Sequence, residues 1–328
     1  MMKPVIVFAC KVPDEEARVK IQKHATIVEC ETDDPDELAS AAVHAEGLIV
    51  PYTQQPLITQ AVIDSATRLR LVGTTYGGVR QNVDDVYALS KGLTVIHTGA
   101  SRVRPMAEYT VALILSSLMH IHCFHHDMRS GEAWPRFAYP RGRNLTDRSV
   151  GVIGYGRIGR GIIDVLQAFT SSIRVCSAHL SDDDANRAGL SRASLNELCA
   201  SCEIVVLAGG YTPETHHLIS EEQFAAMQDG TLFVNIARGK MVDEKAMIRA
   251  VESRPLYLAL DVFEEEPLDS DSPLRRNNRV LLVPHRGNNA IEFEQRWMTL
   301  ADEIEAFYCG RTPESSLTID RAQRMSES

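Results

Sequence analysis

Arg238, Glu266 and His285 are the side chains in this sequence whose types and order most clearly suggest chemistry. Arg238 lies in NIARGK, Glu266 in EEEPL and His285 in VPHRG, each close behind an apolar run of strand length. An arginine grips a carboxylate through its planar fork and polarises a neighbouring carbonyl. A histidine is an acid and base suited to neutral pH, and a glutamate beside it orients the ring and favours its charged form. Together they supply what reduction of a 2-oxo acid asks of a protein: a cation for the carboxylate and a proton for the developing alkoxide. Each residue alone is commonplace in a structural role; the ordered set is far less so.

The remaining need, a hydride donor, has its own sequence mark. Gly154, Tyr155, Gly156, Arg157, Ile158 and Gly159 form a G-x-G-x-x-G that follows the strand-like SVGVI and opens an apolar-periodic helix. In that setting the first glycine makes the turn, the second admits a pyrophosphate and the third lets helix and strand pack closely. The diphosphate then rests on the free N–H groups of the helix N-terminus. An NAD site should offer an acid about 20 residues further on, for the ribose hydroxyls. His179 stands there instead, with Asp182, Asp183 and Asp184 in a following loop. Those acids would repel a 2′-phosphate, so NAD is the expected coenzyme; NADP stays possible because a protonated His179 would attract that phosphate.

The groups must be carried by parallel strands, since all three candidate catalytic residues fall just beyond strand-like runs. In the first hundred residues VIVFA, GLIV, LRLVGTT and LTVIHT read as strands buried on both faces. DPDELASAAVHA and the stretch 83–91 read as helices between them, and YGGVRQN as a glycine-bearing loop. Residues 104–129 read as one long helix starting near Pro105, ending in a polar surface excursion, RSGEAWPRFAYPRGRN. A second series alternates VGVIG, IRVCSA, EIVVLAG, TLFVNIA, LYLALDVF and RVLLVPH with helices at 158–169, around Leu195, around Gln223 and after Asp243. This is the pattern of an α/β protein with a Rossmann-type doubly wound parallel sheet. The polar tail beyond Gly310 reads as loosely held.

At 328 residues the chain is long enough for two domains. With 34 basic and 44 acidic residues its net charge of −10 argues against nucleic acid or an anionic membrane as partner. The most apolar stretch, 106–119, is interrupted by Glu108 and is too short for a membrane span. The N-terminal run lacks a cleavage site, and the odd number of scattered cysteines, 7, does not suggest a disulfide framework, so a cytoplasmic protein is expected. Cys199 and Cys202 form a C-x-x-C read as buried thiols. His120, His122, His125 and His126 are read as helix-surface histidines, and no metal site is expected.

The stretches GGVRQNVD, MAEYTVALIL, GVIGYGRIG, VNIARGKMVDE through ALDVFEEEP, and VPHRGNN, in this order, resemble the D-isomer-specific 2-hydroxyacid dehydrogenase family over nearly the whole chain. The resemblance implies that Arg238, Glu266 and His285 are the catalytic three. It also implies that Asp261 contacts the nicotinamide carboxamide and that Ala237 and His285 line the coenzyme site. Backbone N–H groups of Tyr76, Gly77 and Gly78 would take the substrate carboxylate, with Arg102 nearby. The implied fold inserts the coenzyme domain, 102–285, into a smaller flavodoxin-like α/β substrate domain, 1–101 and 286–328. Trp134 resembles part of a dimerisation arm, which implies a homodimer. The partner is then a small 2-oxo or 2-hydroxy acid such as glyoxylate, hydroxypyruvate or phosphohydroxypyruvate.

The sequence also departs from the family pattern. Besides His179, Ala208-Gly209-Gly210 replaces a stretch that usually ends in proline, Cys202-Glu203 replaces serine-aspartate, and Arg286-Gly287-Asn288-Asn289 replaces a small apolar segment. Arg80, Arg102, Arg104 and Arg286 raise the expectation of a second anionic group on the substrate, if any of them faces it. Two rival readings stand beside the dehydrogenase. A formate dehydrogenase of this fold is disfavoured because such enzymes carry Gln where this chain has Glu266. A dinucleotide-sensing corepressor is disfavoured by the absence of a basic surface or long tails.

Overall fold

Continuous burial on both faces makes strands of the apolar runs, and they sort into two parallel sheets. The computed structural model describes residues 3–287 and 289–324, so Asn288 of the segment after His285 lies outside them. The chain divides into one unit of Met1–Arg102 with Ile291–Ser328 and a second of Val103–Ala290. The breaks fall one residue later than expected at the first crossing and five later at the second. Arg102 belongs with the first unit because its guanidinium lies 3.5 Å from the centre of the Tyr76 ring. Arg286 and Gly287 belong with the second because both donate their N–H groups to Asp261.

The first unit runs β1 (Val5–Phe8), α1 (Glu15–Gln22), β2 (Thr26–Glu29), α2 (Pro35–Ala42), β3 (Gly47–Val50), α3 (Gln60–Ser65), β4 (Leu71–Thr74), α4 (Asp85–Ser90) and β5 (Thr94–His97). Its strands pair in parallel in the order β2-β1-β3-β4-β5, the flavodoxin-like arrangement. The sequence reading lacked α1, β2 and α3. TIVE of β2 lies at the sheet's edge with alternate residues half-buried, so it shows no continuous apolar run.

The second unit opens with α5 (Val103–Leu118) and α6 (Ile121–Arg129), where one helix was expected. The two bend by 67° at His120, which adopts φ 53° and ψ 28°. Such a left-handed residue ends a helix without glycine when its surroundings hold it. Here the ring stacks 5.8 Å from Tyr139 and lies 5.7 Å from Tyr257, and Arg143 donates its N–H to the freed Leu118 carbonyl at 3.0 Å. His120 is therefore buried at the break, not on a helix surface, and His122 is half-buried. No single helix among the described residues is long and apolar enough to cross a membrane.

The unit continues β6 (Val150–Ile153), α7 (Arg157–Leu166), β7 (Ile173–Cys176), α8 (Asp182–Arg187), β8 (Ser191–Arg192), α9 (Leu195–Ser201), β9 (Ile204–Leu207), α10 (Glu221–Ala226), β10 (Leu232–Asn235), α11 (Glu244–Ser253), β11 (Tyr257–Leu260) and β12 (Val280–Leu282). The strands order β12-β11-β10-β9-β6-β7-β8, the doubly wound arrangement with its switch point between β6 and β9. Helix α5 covers this sheet and crosses α7 at Gly161, where a Cβ would lie 2.4 Å from Val103.

The chain returns to the first unit in α12 (Arg296–Tyr308) and α13 (Ile319–Arg324). Trp297, Leu300, Ala301 and Ile304 of α12 join Ile6, Phe8, Ile49 and Ile96 in one core. The tail beyond Gly310 is not loose through its described length. Ser315 is fully buried and donates its N–H to Glu303 at 3.1 Å, Leu317 extends the sheet core, and Ala322 is buried beside α4.

Burial holds His120 and His122 below the ordinary histidine range. A folded state that binds protons less readily than the unfolded chain loses stability as pH falls through the unfolded value of 6.5. Urea midpoints should therefore drop between pH 7.5 and 5.5, above the range where carboxylates titrate. His120→Asn, which tolerates the left-handed backbone, should shrink that drop; an equal drop would show that His120 does not carry it.

Candidate active site

Strands β10, β11 and β12 lie side by side in parallel, with Asn235 level with Leu260 and Leu260 level with Leu282. Arg238, the segment Asp261 to Glu266, and His285 therefore leave the same edge of one sheet. His285 and Glu266 meet directly, Nδ1 to Oε2 at 2.8 Å. The other oxygen of Glu266 accepts the Phe263 N–H at 3.1 Å, so the carboxylate is held from two sides. His285 itself has φ 51°, a left-handed turn straight after β12.

Arg238 leaves β10 in an extended conformation and is half-buried. Its loop is clasped by Asn235, whose Oδ1 accepts the Ala237 N–H at 3.0 Å and whose Nδ2 donates to the Arg238 carbonyl at 3.2 Å. Gly239 then passes against the backbone of Phe263, where a Cβ would come within 1.8 Å of that carbonyl. Only glycine permits this approach, and it sets the arginine loop against the loop carrying Glu266. Asn235 and Gly239 were visible in VNIARGK but not singled out by the sequence reading. The nearly buried Ala237, 5 % exposed, belongs to the same loop.

Asp261, which the resemblance gives to the nicotinamide carboxamide, lies directly behind β11. It is 1 % exposed, and its carboxylate accepts from the Tyr109 hydroxyl and from the N–H groups of Arg286 and Gly287. Its ties run inward, to the turn that carries His285.

The glycine loop has the geometry a dinucleotide needs. Gly154 has φ 106° and lies so close to Gly209 that a Cβ would sit 2.7 Å from it. A Cβ on Gly159 would lie 2.1 Å from the Gly154 carbonyl, whereas around Gly156 nothing stands within 4 Å. Gly156 caps α7 and is exposed, with Tyr155, Arg157 and Ile158 half-buried around it. The open approach to a helix N-terminus fits a diphosphate.

Beyond β7, Tyr155, Arg160, His179, Leu180, Asp184 and Arg187 line one pocket. The three aspartates form the first turn of α8, capped by Ser181, and not a loop. Asp182 pairs with Arg192 at 2.8 Å, and Asp184 with Arg187 and Ser181 at 2.6 Å each.

In the first unit, the loop after β4 carries Tyr76, Gly77 and Gly78. Gly77 is pressed between Gly99 and Arg102, and nothing stands within 4 Å of a Cβ on Gly78. Arg102 stacks on Tyr76 and lies 5.1 Å from the centre of the Phe293 ring. Arg80 pairs with buried Asp85 at 3.3 Å and donates to the Ala322 carbonyl. In the second unit Arg104 pairs with Glu108 on α5, and Arg286 is exposed. Cys199 and Cys202 are buried, and burial pushes the Cys199 thiol up to about 12.

Adding one methyl group separates the roles of the glycines. Gly156→Ala should leave the thermal midpoint nearly unchanged yet weaken NAD(P)H binding about ten-fold, read by nicotinamide fluorescence. Gly154→Ala should lower the midpoint, since φ 106° and Gly209 both oppose a side chain. Unaltered coenzyme affinity in Gly156→Ala would remove the loop from the binding site.

The family model described as D-isomer specific 2-hydroxyacid dehydrogenase, NAD binding domain, matches residues 111–287. The chain is 32 % identical over 94 % of its length to a D-3-phosphoglycerate dehydrogenase of Methanocaldococcus jannaschii, of which it spans 58 %. It is 30 % identical over 96 % of its length to glyoxylate/hydroxypyruvate reductase B of Yersinia enterocolitica, covering 97 % of that protein. Among solved structures, a protein of Pyrococcus horikoshii OT3 superposes with a TM-score of 0.79 at 28 % identity, covering 98 % of this chain and 97 % of the other. The chain belongs to the D-isomer-specific 2-hydroxyacid dehydrogenase family.

Proposed function

We propose that this protein interconverts a small 2-oxo acid and the D-2-hydroxy acid, with NADP(H) as the preferred coenzyme. The observation that carries the reaction is the 2.8 Å pairing of His285 Nδ1 with Glu266 at the sheet edge that also bears Arg238. A bound nicotinamide supplies or takes up the hydride. Arg238 binds the substrate carboxylate and polarises the ketone. With Nδ1–H donated to Glu266, the proton at His285 Nε2 is the one delivered to the developing alkoxide, and Nε2 recovers it in oxidation. Glu266 supports the charged ring, a role an amide would fill poorly, which sets this site apart from formate oxidation.

Gly154, Gly156 and Gly159 would hold the coenzyme diphosphate on α7. The preference for NADP(H) is a shift from the leaning of the sequence. It is supported by the pocket beyond β7, which offers Arg160 and His179, while its acid, Asp184, is already engaged by Ser181 and Arg187. A 2′-phosphate there would meet Arg160 and His179.

The substrate we favour is a monoanionic acid of the glyoxylate or hydroxypyruvate kind, the type named for the Yersinia relative. Support comes from three of the four arginines that could have met a second anion, Arg286 being exposed. Arg80 is bound to Asp85 and Ala322, Arg104 to Glu108, and Arg102 is stacked on Tyr76. Trp134 and Phe137, 73 % and 88 % exposed in the stretch after α6, favour the homodimer. The seven free cysteines favour a cytoplasmic setting.

A panel of 2-oxo acids run with NADPH and NADH in parallel tests the whole reading. We expect kcat/KM to favour NADPH and to be at least about ten-fold higher for glyoxylate or hydroxypyruvate than for phosphohydroxypyruvate. Preference for the phosphorylated acid would reassign the substrate, and preference for NADH the coenzyme. His285→Ala should lose turnover by about 10²–10⁴-fold while retaining coenzyme affinity; full turnover in that variant defeats the assignment.

A further inference from the structure

We propose that Tyr109 and Asp261 form a positioning pair that aims His285, an inference that rests on the proton-donor role given to that histidine above. Asp261 controls three consecutive residues after β12. Its carbonyl accepts the His285 N–H at 2.8 Å. Its Oδ1 accepts the Arg286 N–H at 2.7 Å, and its Oδ2 accepts the Gly287 N–H at 3.1 Å. Main chain and side chain of one residue thus tie down the whole turn.

The turn needs tying down, because His285 sits at φ 51°. A non-glycine residue holds that conformation at a cost, and only where its surroundings over-determine it. The carboxylate that does so is itself nearly sealed from water at 1 % exposure. A buried charge is stable when its lone pairs are satisfied, and two backbone amides leave that incomplete. Tyr109, on α5, donates its hydroxyl to Oδ1 at 2.7 Å and completes the set. Burial and the carboxylate together push the Tyr109 phenol above its ordinary range, so the donor stays protonated throughout the working pH range.

His285 is then held at two points. Glu266 fixes the ring through Nδ1, and Asp261, secured by Tyr109, fixes the backbone beneath it. Loosening the second point leaves the ring bonded to Glu266 but lets its carrier drift. Proton delivery depends steeply on such placement, and a shift of about 1 Å can cost 10²-fold.

The test is Tyr109→Phe in the full chain, with kcat and KM measured in H2O and D2O and NAD(P)H affinity measured by fluorescence. We expect kcat to fall at least about ten-fold, with substrate KM and coenzyme affinity within two-fold. The solvent isotope effect on kcat should rise, because proton transfer becomes limiting. Gly287→Ala provides a second variant, since its Cβ would lie 3.0 Å from Asp261 Oδ2 and crowd the same carboxylate. It should reproduce the pattern, and it decides the matter if Tyr109→Phe fails to fold. A folded variant with kcat within two-fold of the parent overturns the proposal. So does a selective loss of coenzyme affinity, which would make Asp261 a coenzyme contact as the family resemblance implies. Turnover surviving in His285→Ala would instead defeat the underlying reading, whatever Tyr109→Phe does.

Discussion

Because β10, β11 and β12 pair side by side and in parallel, the chain must leave all three at the same edge of the sheet. Each return to the opposite edge has to travel through a helix or a long crossover. Arg238, Glu266 and His285 are far apart in sequence for that reason, and neighbours in the sheet for the same reason. No loop has to search for its partner across the molecule. The remaining variables are how closely each loop approaches the next and how firmly each turn is held.

The first variable is set by missing side chains. Gly239 against Phe263, Gly154 against Gly209 and Gly161 against Val103 are places where a methyl group would collide with its neighbour. Interiors are packed too densely to absorb such collisions without moving a loop or a helix. The second variable is set by buried polar groups with complete partners. Asn235 clasps the arginine loop and Asp261 the histidine turn. Both are almost fully buried, where an incomplete hydrogen-bond set would be costly.

The architecture was readable where burial is two-sided. The runs that became β1, β3 to β6 and β9 to β11 are apolar because they are buried on both faces. The elements that escaped the sequence lack that signal: β2 is a half-exposed edge strand and β8 has two exposed residues. The break at His120 escaped for another reason. Neither glycine nor proline marks it, and the aromatic rings that trap the histidine come from Tyr139 and Tyr257, distant in sequence. The docked tail is similar, since Glu303 and Ser315 carry no pattern that pairs them. In the site, motif residues were legible by type and order, whereas Tyr109 and Asp261 are 152 residues apart and meet only through α5 crossing the sheet. Pair geometry of this kind is a property of packing, and sequence periodicity reports burial, not partners.

Net charge is a poor guide to ligands for a related reason. The chain carries −10 overall, yet the field at a pocket is governed by charges within about a Debye length, some 8–10 Å, and by whether they are already paired. At the pocket beyond β7, Asp182 and Asp184 are engaged by Arg192 and Arg187, so the acids that dominate the local sequence contribute less than their number suggests. Arg160 lies over the Tyr155 ring, 5.7 Å from its centre, in the same pocket lining. Helix α7 adds its N-terminal N–H groups on the adjoining side of the glycine loop. The pairing of those acids is legible only once α8 is recognised as a helix that turns Asp182 and Asp184 toward arginines.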